Sequence, residues 1–521
     1  METTTPPATK SQRAGAAKDL LLAFSLANLV FVETWSELLF DADGGYFNRF
    51  RVESHTLLAL LANLAWATLL GWGVLRAVRR TRSLWARRLV VVVVTALLLQ
   101  AANYVRVMVL GWSLGGLLRF GGLPAVVSVA VAGLLFLLIF HSLAGRILTA
   151  VLAILSPLAF LTVGRVLLVL LGVTTIWQHE ATSPQPAAFR PNAPEQPRVV
   201  WIIFDEMDYR LAFAERPARV KLPEFDRLCG EAVHLTHAYA PGSCTMISLP
   251  ALTTGRMVLR SKTDGPSTLR LRLAENNELA DWGQLTNVFD RALALGFNTA
   301  AVGWYHPYDR ILGHSLTRVT WHPFMWFEMV RGPDFATCLR HQITAVSFME
   351  HRRRMAADFQ QALKEAVALA TNRTVGLSLF HLPTPHPPGI YDAARQRFSV
   401  TRFSKRAGYL DNLMLADRAL GRLRQAMETA GVWTNTWLIA TADHWWRQSG
   451  SPDHRIPFIL KPPAPARDVA FTNTVNTVIT SDLILAILRG EITNETAAVS
   501  WLSRHTVNKP PTYQTAAETG D

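Results

Sequence analysis

VVWIIFDEMD (Val199–Asp208) and APGSCTMISLPALTTGR (Ala240–Arg256) are the stretches whose reading decides the fold. The first is an apolar run of strand length with an acidic residue at its tip. The second puts a hydroxyl, Thr245, at the start of a helix. Much further along, TWLIATADHWW (Thr436–Trp446) ends another β-rich run on Asp443 and His444. An acid at a strand tip, a hydroxyl at a helix start and an acid–imidazole pair are the parts of a metal-activated nucleophile.

Around these segments, short apolar runs alternate with amphipathic ones. Val199–Phe204, Phe297–Gly303, Val375–Phe380, Trp437–Thr441 and Pro457–Leu460 read as strands, and Leu285–Leu295 and Tyr409–Thr429 carry apolar residues at helical spacing. Such alternation predicts an α/β layer with a mostly parallel central sheet, whose ligands gather at the carboxyl ends of the strands. Asp205, Asp443 and His444 fall at such ends.

The N-terminal third is different. The 521-residue chain has only 17% charged residues and a mean hydropathy of +0.17, with the apolar excess concentrated early. Leu20–Phe40, Thr56–Ala77, Leu89–Leu110, Leu123–His141 and Leu148–Val173 are each long enough to cross ~30 Å of hydrocarbon at ~1.5 Å per residue. Five crossings predict termini on opposite sides. Lys10, Arg13 and Lys18 in the N-terminal tail and Arg79, Arg80, Arg82, Arg87 and Arg88 in the second loop orient the tail inward. The C-terminal domain is then expected outside an inner (plasma) membrane. The expected organisation is a disordered tail 1–17, a five-helix transmembrane domain 18–176, a Pro-rich extended linker 177–198, a catalytic domain 199–505 and a disordered tail 506–521.

The formal charge of +13 arises largely from that topology, and no basic run outside the second loop is dense enough to suggest nucleic acid. Cys229, Cys244 and Cys338 all lie in the exported part and allow one disulfide or none.

Asp, His and a Thr alkoxide suit zinc, so Asp205, Thr245, Asp443 and His444 form the candidate metal shell. Taken singly each has a plainer reading, since an Asp at a strand end is usually a cap or turn residue.

Together these motifs resemble the alkaline phosphatase superfamily in its sulfatase-like branch, over roughly Val199 to Leu460. The Asp205 strand resembles the first metal-binding segment, and LPEFDRL (Leu222–Leu228) the helix after it. Thr245 stands nine residues before Thr254 of Thr254-Gly255-Arg256, where sulfatase-like proteins carry their nucleophile, and five before Pro250, as in phosphoethanolamine transferases. YLDNLMLADRALGRL (Tyr409–Leu423) resembles the long helix leading to the Asp443-His444 motif. His386 and His454 resemble histidines that face the transferred phosphate or hold a second metal, with His381 and His306 as weaker candidates. Cys244 lacks the C-x-P-S-R-like context of sulfatases, Trp445 and Trp446 replace the usual Gly and acid, and Glu206 competes with Asp205 as ligand.

With the preceding apolar spans, the resemblance extends to phosphoethanolamine transferases and lipoteichoic acid synthases. It implies one or two divalent ions, most naturally zinc. A phosphoethanolamine or phosphoglycerol headgroup would pass from a phospholipid donor through a phosphothreonine to an envelope glycan or lipid acceptor. Hydrolysis of that intermediate by water and a non-catalytic membrane scaffold are the alternatives. Glu33, Glu37, Arg106 and Arg165, counted along straight spans, lie roughly 20–25 Å from the inner surface and read either as a headgroup site or as snorkelling and paired charges.

Overall fold

The computed structural model describes residues 10–40, 44–110, 115–176, 183–323, 329–463 and 467–513. It divides into two compact units: Met1–Ala42, Phe50–Trp177 and Met329–Ser347 form one, and Asp43–Arg49, Gln178–Glu328 and Phe348–Asp521 the other.

The first unit is helical: α1 (Lys10–Val30), α2 (Val32–Leu39), α3 (Ser54–Arg80), α4 (Leu84–Tyr104), α5 (Gly115–Ile139) and α6 (His141–Leu170), joined by a helix at Phe335–Ala345. Among the described residues, three helices, Ser54–Arg80, Leu84–Val107 and His141–Leu170, are long and apolar enough to cross a membrane. Their outward faces carry Trp66, Leu99, Ile154 and Leu161, each more than half exposed, as lipid-facing residues would be. Leu123–His141, the fourth expected span, lies partly outside the residues whose side chains are described. The expected first span is not straight, because α1 and α2 meet at a 65° bend. Beyond that bend the advance along the original axis falls to about 0.6 Å per residue, so the straight-helix depth expected for Glu33 and Glu37 does not hold. Midway along α1, Asp19 is fully buried and accepts a charged contact from Arg79 at 2.5 Å.

The second unit is built on a sheet whose strands, in chain order, are β1 (Val199–Phe204), β2 (Val233–Tyr239), β3 (Thr299–Tyr305), β4 (Arg318–Pro323), β5 (Leu377–Leu382), β6 (Trp437–Thr441), β7 (Arg455–Lys461), β8 (Val469–Phe471) and β9 (Val475–Asn476). Their order is β8-β2-β7-β6-β1-β5-β3-β4, with β9 also paired to β2. Among these strands only β7 runs against the rest, pairing antiparallel with both β6 and β2. β1, β5 and β6 are buried along their whole length, which matches the apolar runs of β1 and β6, while β5 buries Ser378 and His381 as well. The helix Phe348–Ala370 packs on β5 and on the helix Lys405–Thr429.

β2, β4 and the short β8 and β9 were not anticipated. The first alternates buried and part-exposed residues and carries two histidines and a threonine, and the second has an exposed start. β3 and β5 begin two residues later than their apolar runs suggest. Asn298 pins the preceding loops by donating to Arg190 O and Thr374 O, while its own carbonyl accepts from Gly376.

Of the expected tails and linker, residues 1–9, 177–182 and 514–521 lie outside the described residues. Residues 10–17 are the first turns of α1 rather than irregular. Residues 183–198 are not a free spacer, since Ala187 and Arg190 hydrogen-bond to Leu316 and Asn298 in the second unit. At the end of this stretch the buried Arg198 donates to Leu369 O and Ala370 O, capping the C-terminus of the helix Phe348–Ala370. The C-terminal segment is also tied down, through Val507 N to Thr474 O and Tyr513 Oη to Ala240 O. All three cysteines are free thiols.

Gly303, in β3, has no room for a side chain: a Cβ there would come within 2.0 Å of the Tyr308 ring. Gly303→Ala is expected to destabilise the protein by about 1–3 kcal/mol by displacing that ring. A Tm equal to wild type would mean that the loop after β3 adapts freely.

Candidate active site

The sheet topology gathers the chemistry at one edge. β1 ends into Asp205 and Glu206, β3 into His306, β5 carries His381 at its end with His386 beyond, and β6 leads to Asp443 and His444. β2 points the same way and feeds the helix Thr245–Thr254, with Cys244 at its N-cap and Thr245 as first residue. β7 runs in reverse, so its beginning, and His454 just before it, reach this edge as well.

Asp205, Asp443 and His444 offer ligand atoms all within 4.8 Å of one another, and all three residues are buried. Thr245 Oγ1 donates to Asp443 Oδ2 at 2.7 Å and stands 3.3 Å from His444 Nε2. Asp443 Oδ1 accepts the backbone N–H of Glu206 at 3.1 Å and of His444 at 2.9 Å. The helix start adds the positive end of its dipole beneath the hydroxyl. The ambiguity between the two neighbouring acids is resolved by geometry. Asp205 Oδ1 lies 4.0 Å from His444 Nε2, whereas the Glu206 carboxylate turns to Arg447 at 3.4 Å.

Burial dominates the electrostatics. It pushes the Asp205 carboxyl well above the usual range, Asp443 adds to that, and Arg447 and the Thr245 hydroxyl oppose it. Glu206 is raised to about 8, again chiefly by burial. His444 is held well below its ordinary value by burial and by the Arg447 cation. Its Nδ1 lies 2.9 Å from Trp445 O, an atom that only accepts, so Nδ1 carries the proton and Nε2 directs a lone pair at three oxygens. Both Asp205 oxygens and the neighbouring His381 Nε2 are buried without a hydrogen-bond partner. Lone pairs of Asp205, Asp443 and His444 converging with too few donors to meet them fit a divalent cation, held by these three and the Thr245 oxygen.

Further histidines line this edge. His381 Nε2 lies 3.3 Å from Asp205 Oδ2, while its Nδ1 meets Tyr308 Oη at 2.9 Å. His386 feels both His444 and Asp443, and burial lowers it to about 3. Its Nδ1 donates to Pro387 O, leaving Nε2 as an acceptor. His454 stands further out, stacked on Trp445 at 4.1 Å with Tyr513 against both rings. His306 is fully buried and lowered to about 3, with its Nε2 at 3.2 Å from Thr245 O. Sequence reasoning missed Arg447, the cation whose charge reaches Asp205, Glu206, His444 and His386. Its signal was the departure after His444, where Trp445-Trp446-Arg447 replaces Gly and an acid.

In the helical unit, Glu33 and Glu37 lie on α2, close to Tyr104 of α4, which hydrogen-bonds Ser36. Arg106 follows two residues later and donates to Asn103 Oδ1 at 2.8 Å, while Arg165 on α6 donates to Thr175 O at 3.1 Å.

Dialysis against a chelator is expected to lower Tm, and Zn2+ to restore it, with an affinity that rises with pH as protons leave Asp205. Asp205→Asn is expected to abolish the response to Zn2+ without lowering the metal-free Tm, because the amide is a neutral stand-in for the protonated acid that burial favours. A metal-free Tm well below wild type would show that the carboxylate has some other partner.

The Sulfatase family model matches residues 197–471. No curated protein matches the chain. Solved structures similar to it include a protein in the alkaline phosphatase superfamily from Vibrio parahaemolyticus, 15% identical over 58% of this chain and 68% of that one, with a TM-score of 0.38. The phosphonate monoester hydrolase of Agrobacterium radiobacter is 14% identical over 56% of this chain and 74% of its own, with a TM-score of 0.39. The PsFucS1 sulfatase from Pseudoalteromonas sp. is 16% identical over 60% and 75%, with a TM-score of 0.40. These similarities are too low to argue from, but the family match spans more than half of the sequence and takes in every residue of the cluster. The chain therefore belongs to the sulfatase family.

Proposed function

We propose that this protein is a membrane-anchored, metal-dependent transferase. It moves phosphoethanolamine or phosphoglycerol from a phospholipid to an envelope glycan or lipid on the outer face of the membrane. The observation that carries this reading is the Thr245 hydroxyl at a helix start, hydrogen-bonded into the Asp205–Asp443–His444 cluster. Apolar helices long enough to span a bilayer support a lipid donor. Threonine cannot be converted to formylglycine, which argues against the sulfatase reaction despite the family.

Thr245 Oγ1 attacks phosphorus and its proton passes to Asp443 Oδ2, its hydrogen-bond partner. The bond from phosphorus to the diacylglycerol oxygen breaks, and that oxygen leaves with a proton from water, while the Thr245 proton stays on Asp443 and returns to Oγ1 when the second displacement frees it. A cation held by Asp205, Asp443 and His444 supplies positive charge that makes the hydroxyl a better nucleophile and offsets the anionic ester. Arg447, braced by Glu206, faces the same charge from the protein side. His386 Nε2, neutral and accepting, takes the proton of the acceptor hydroxyl as the second displacement frees Thr245. His454 and the Trp445 ring form the outer wall where an acceptor sugar would stack. Glu33, Glu37, Arg106 and Arg165 are assigned to the lipid headgroup, and Glu33→Gln/Glu37→Gln should slow turnover without loss of expression.

The test is peptide mass spectrometry across Thr245 after incubation with vesicles of phosphatidylethanolamine and phosphatidylglycerol. An ethanolamine or glycerol phosphate adduct that is absent in Thr245→Ala is the expected result. Bare phosphate would turn the reading toward a hydrolase, and an unmodified peptide with wild-type turnover in Thr245→Ala would overturn it.

A further inference from the structure

The segment Asp43–Arg49 lies in sequence between α2 and α3, yet it is part of the α/β unit. Tyr46 is fully buried, and Tyr46 and Phe47 belong to that unit's core. Gly44 makes this entry feasible: it adopts φ +62°, and a Cβ there would sit 3.0 Å from Gly265 Cα, so only a glycine allows the two backbones so close. Arg310 Nη2 donates to Tyr46 O at 2.7 Å and fixes the residue from its backbone side.

Its hydroxyl meets His306 Nδ1 at 2.7 Å, and His306 Nε2 stands 3.2 Å from Thr245 O. The carbonyl can only accept, so Nε2 must carry the proton of the neutral ring, Nδ1 must accept, and Tyr46 must donate. Trp282 packs edge-on against the same imidazole at 4.9 Å and keeps the ring from turning. Without the Tyr46 donor the ring is free to take the other tautomer, which would aim a lone pair at the Thr245 carbonyl.

We propose that Tyr46, supplied by the segment between α2 and α3, is a positioning residue for the reaction: through His306 it holds the backbone of Thr245 so that Oγ1 stays on Asp443. The inference rests on Thr245 being the nucleophile. It also makes the first third of the chain a contributor to the catalytic machinery rather than an anchor alone, because an α/β domain cut out after the last N-terminal helix would lack this hydroxyl.

The experiment uses the full-length chain, with bis(4-nitrophenyl) phosphate as probe, and compares Tyr46→Phe, His306→Gln, the double variant and Thr245→Ala. Tyr46→Phe keeps the buried ring and is expected to lower kcat about tenfold, one hydrogen bond's worth, with KM unchanged. The Gln amide reaches Thr245 O as Nε2 does, without needing a tautomer set for it. In the His306→Gln background, Tyr46→Phe should therefore cost nothing further. Wild-type kcat in Tyr46→Phe, or equal losses in both backgrounds, would overturn the proposal. Full activity in Thr245→Ala would instead remove the nucleophile assignment, so the two failures are separable.

Discussion

Asp205, Glu206 and Asp443 are buried together at the ends of adjacent strands, with the charge of Arg447 reaching Asp205 and Glu206. Carboxylates removed from water at such spacing are tolerable only if some keep their protons or a cation joins them. Backbone donors and the Thr245 hydroxyl satisfy Asp443, Arg447 serves Glu206, and Asp205 is left with both oxygens unmet. The remaining architecture follows from placing and feeding that deficit.

The parallel block β6-β1-β5-β3 delivers acids and histidines from four strand ends to one place, where loops can converge without crossing the sheet. The reversal of β7 has a specific consequence. A parallel strand there would have sent His454 to the far edge, whereas an antiparallel one begins where its neighbours end. Around the cluster, aromatic residues fix imidazoles: Tyr308 holds His381, Trp445 stacks on His454, and Tyr46 and Trp282 hold His306. Tyrosine and tryptophan suit this task because they bring apolar area for burial and a polar handle for aim. Gly303 allows the Tyr308 ring to approach β3 closely, so the site depends on the absence of a side chain as well as on those present.

The fold class was legible because β1 and β6 are buried on both faces and read as unbroken apolar runs with an acid just past their ends. β2 was not, since one of its faces is part-exposed and its polar residues break the pattern. The bend between α1 and α2 was hidden for a similar reason. Apolarity continues through Phe31, and hydropathy records composition rather than axis direction. The C-terminal tail read as disordered because it is Pro-rich and polar, yet Val507 and Tyr513 tie it down, the latter packed beside Trp445.

Local chemistry therefore determined much of this protein from sequence alone. An acid after an apolar strand, a threonine at a helix start and an Asp-His pair each carry their meaning within a few residues. Which atoms meet was decided by tertiary structure. Whether Asp205 or Glu206 faces the cluster depends on where Arg447 lies, some 240 residues away in sequence. Tyr46 touches His306 across 260 residues, and no periodicity or motif records a hydrogen bond whose partners are brought together only when the chain folds.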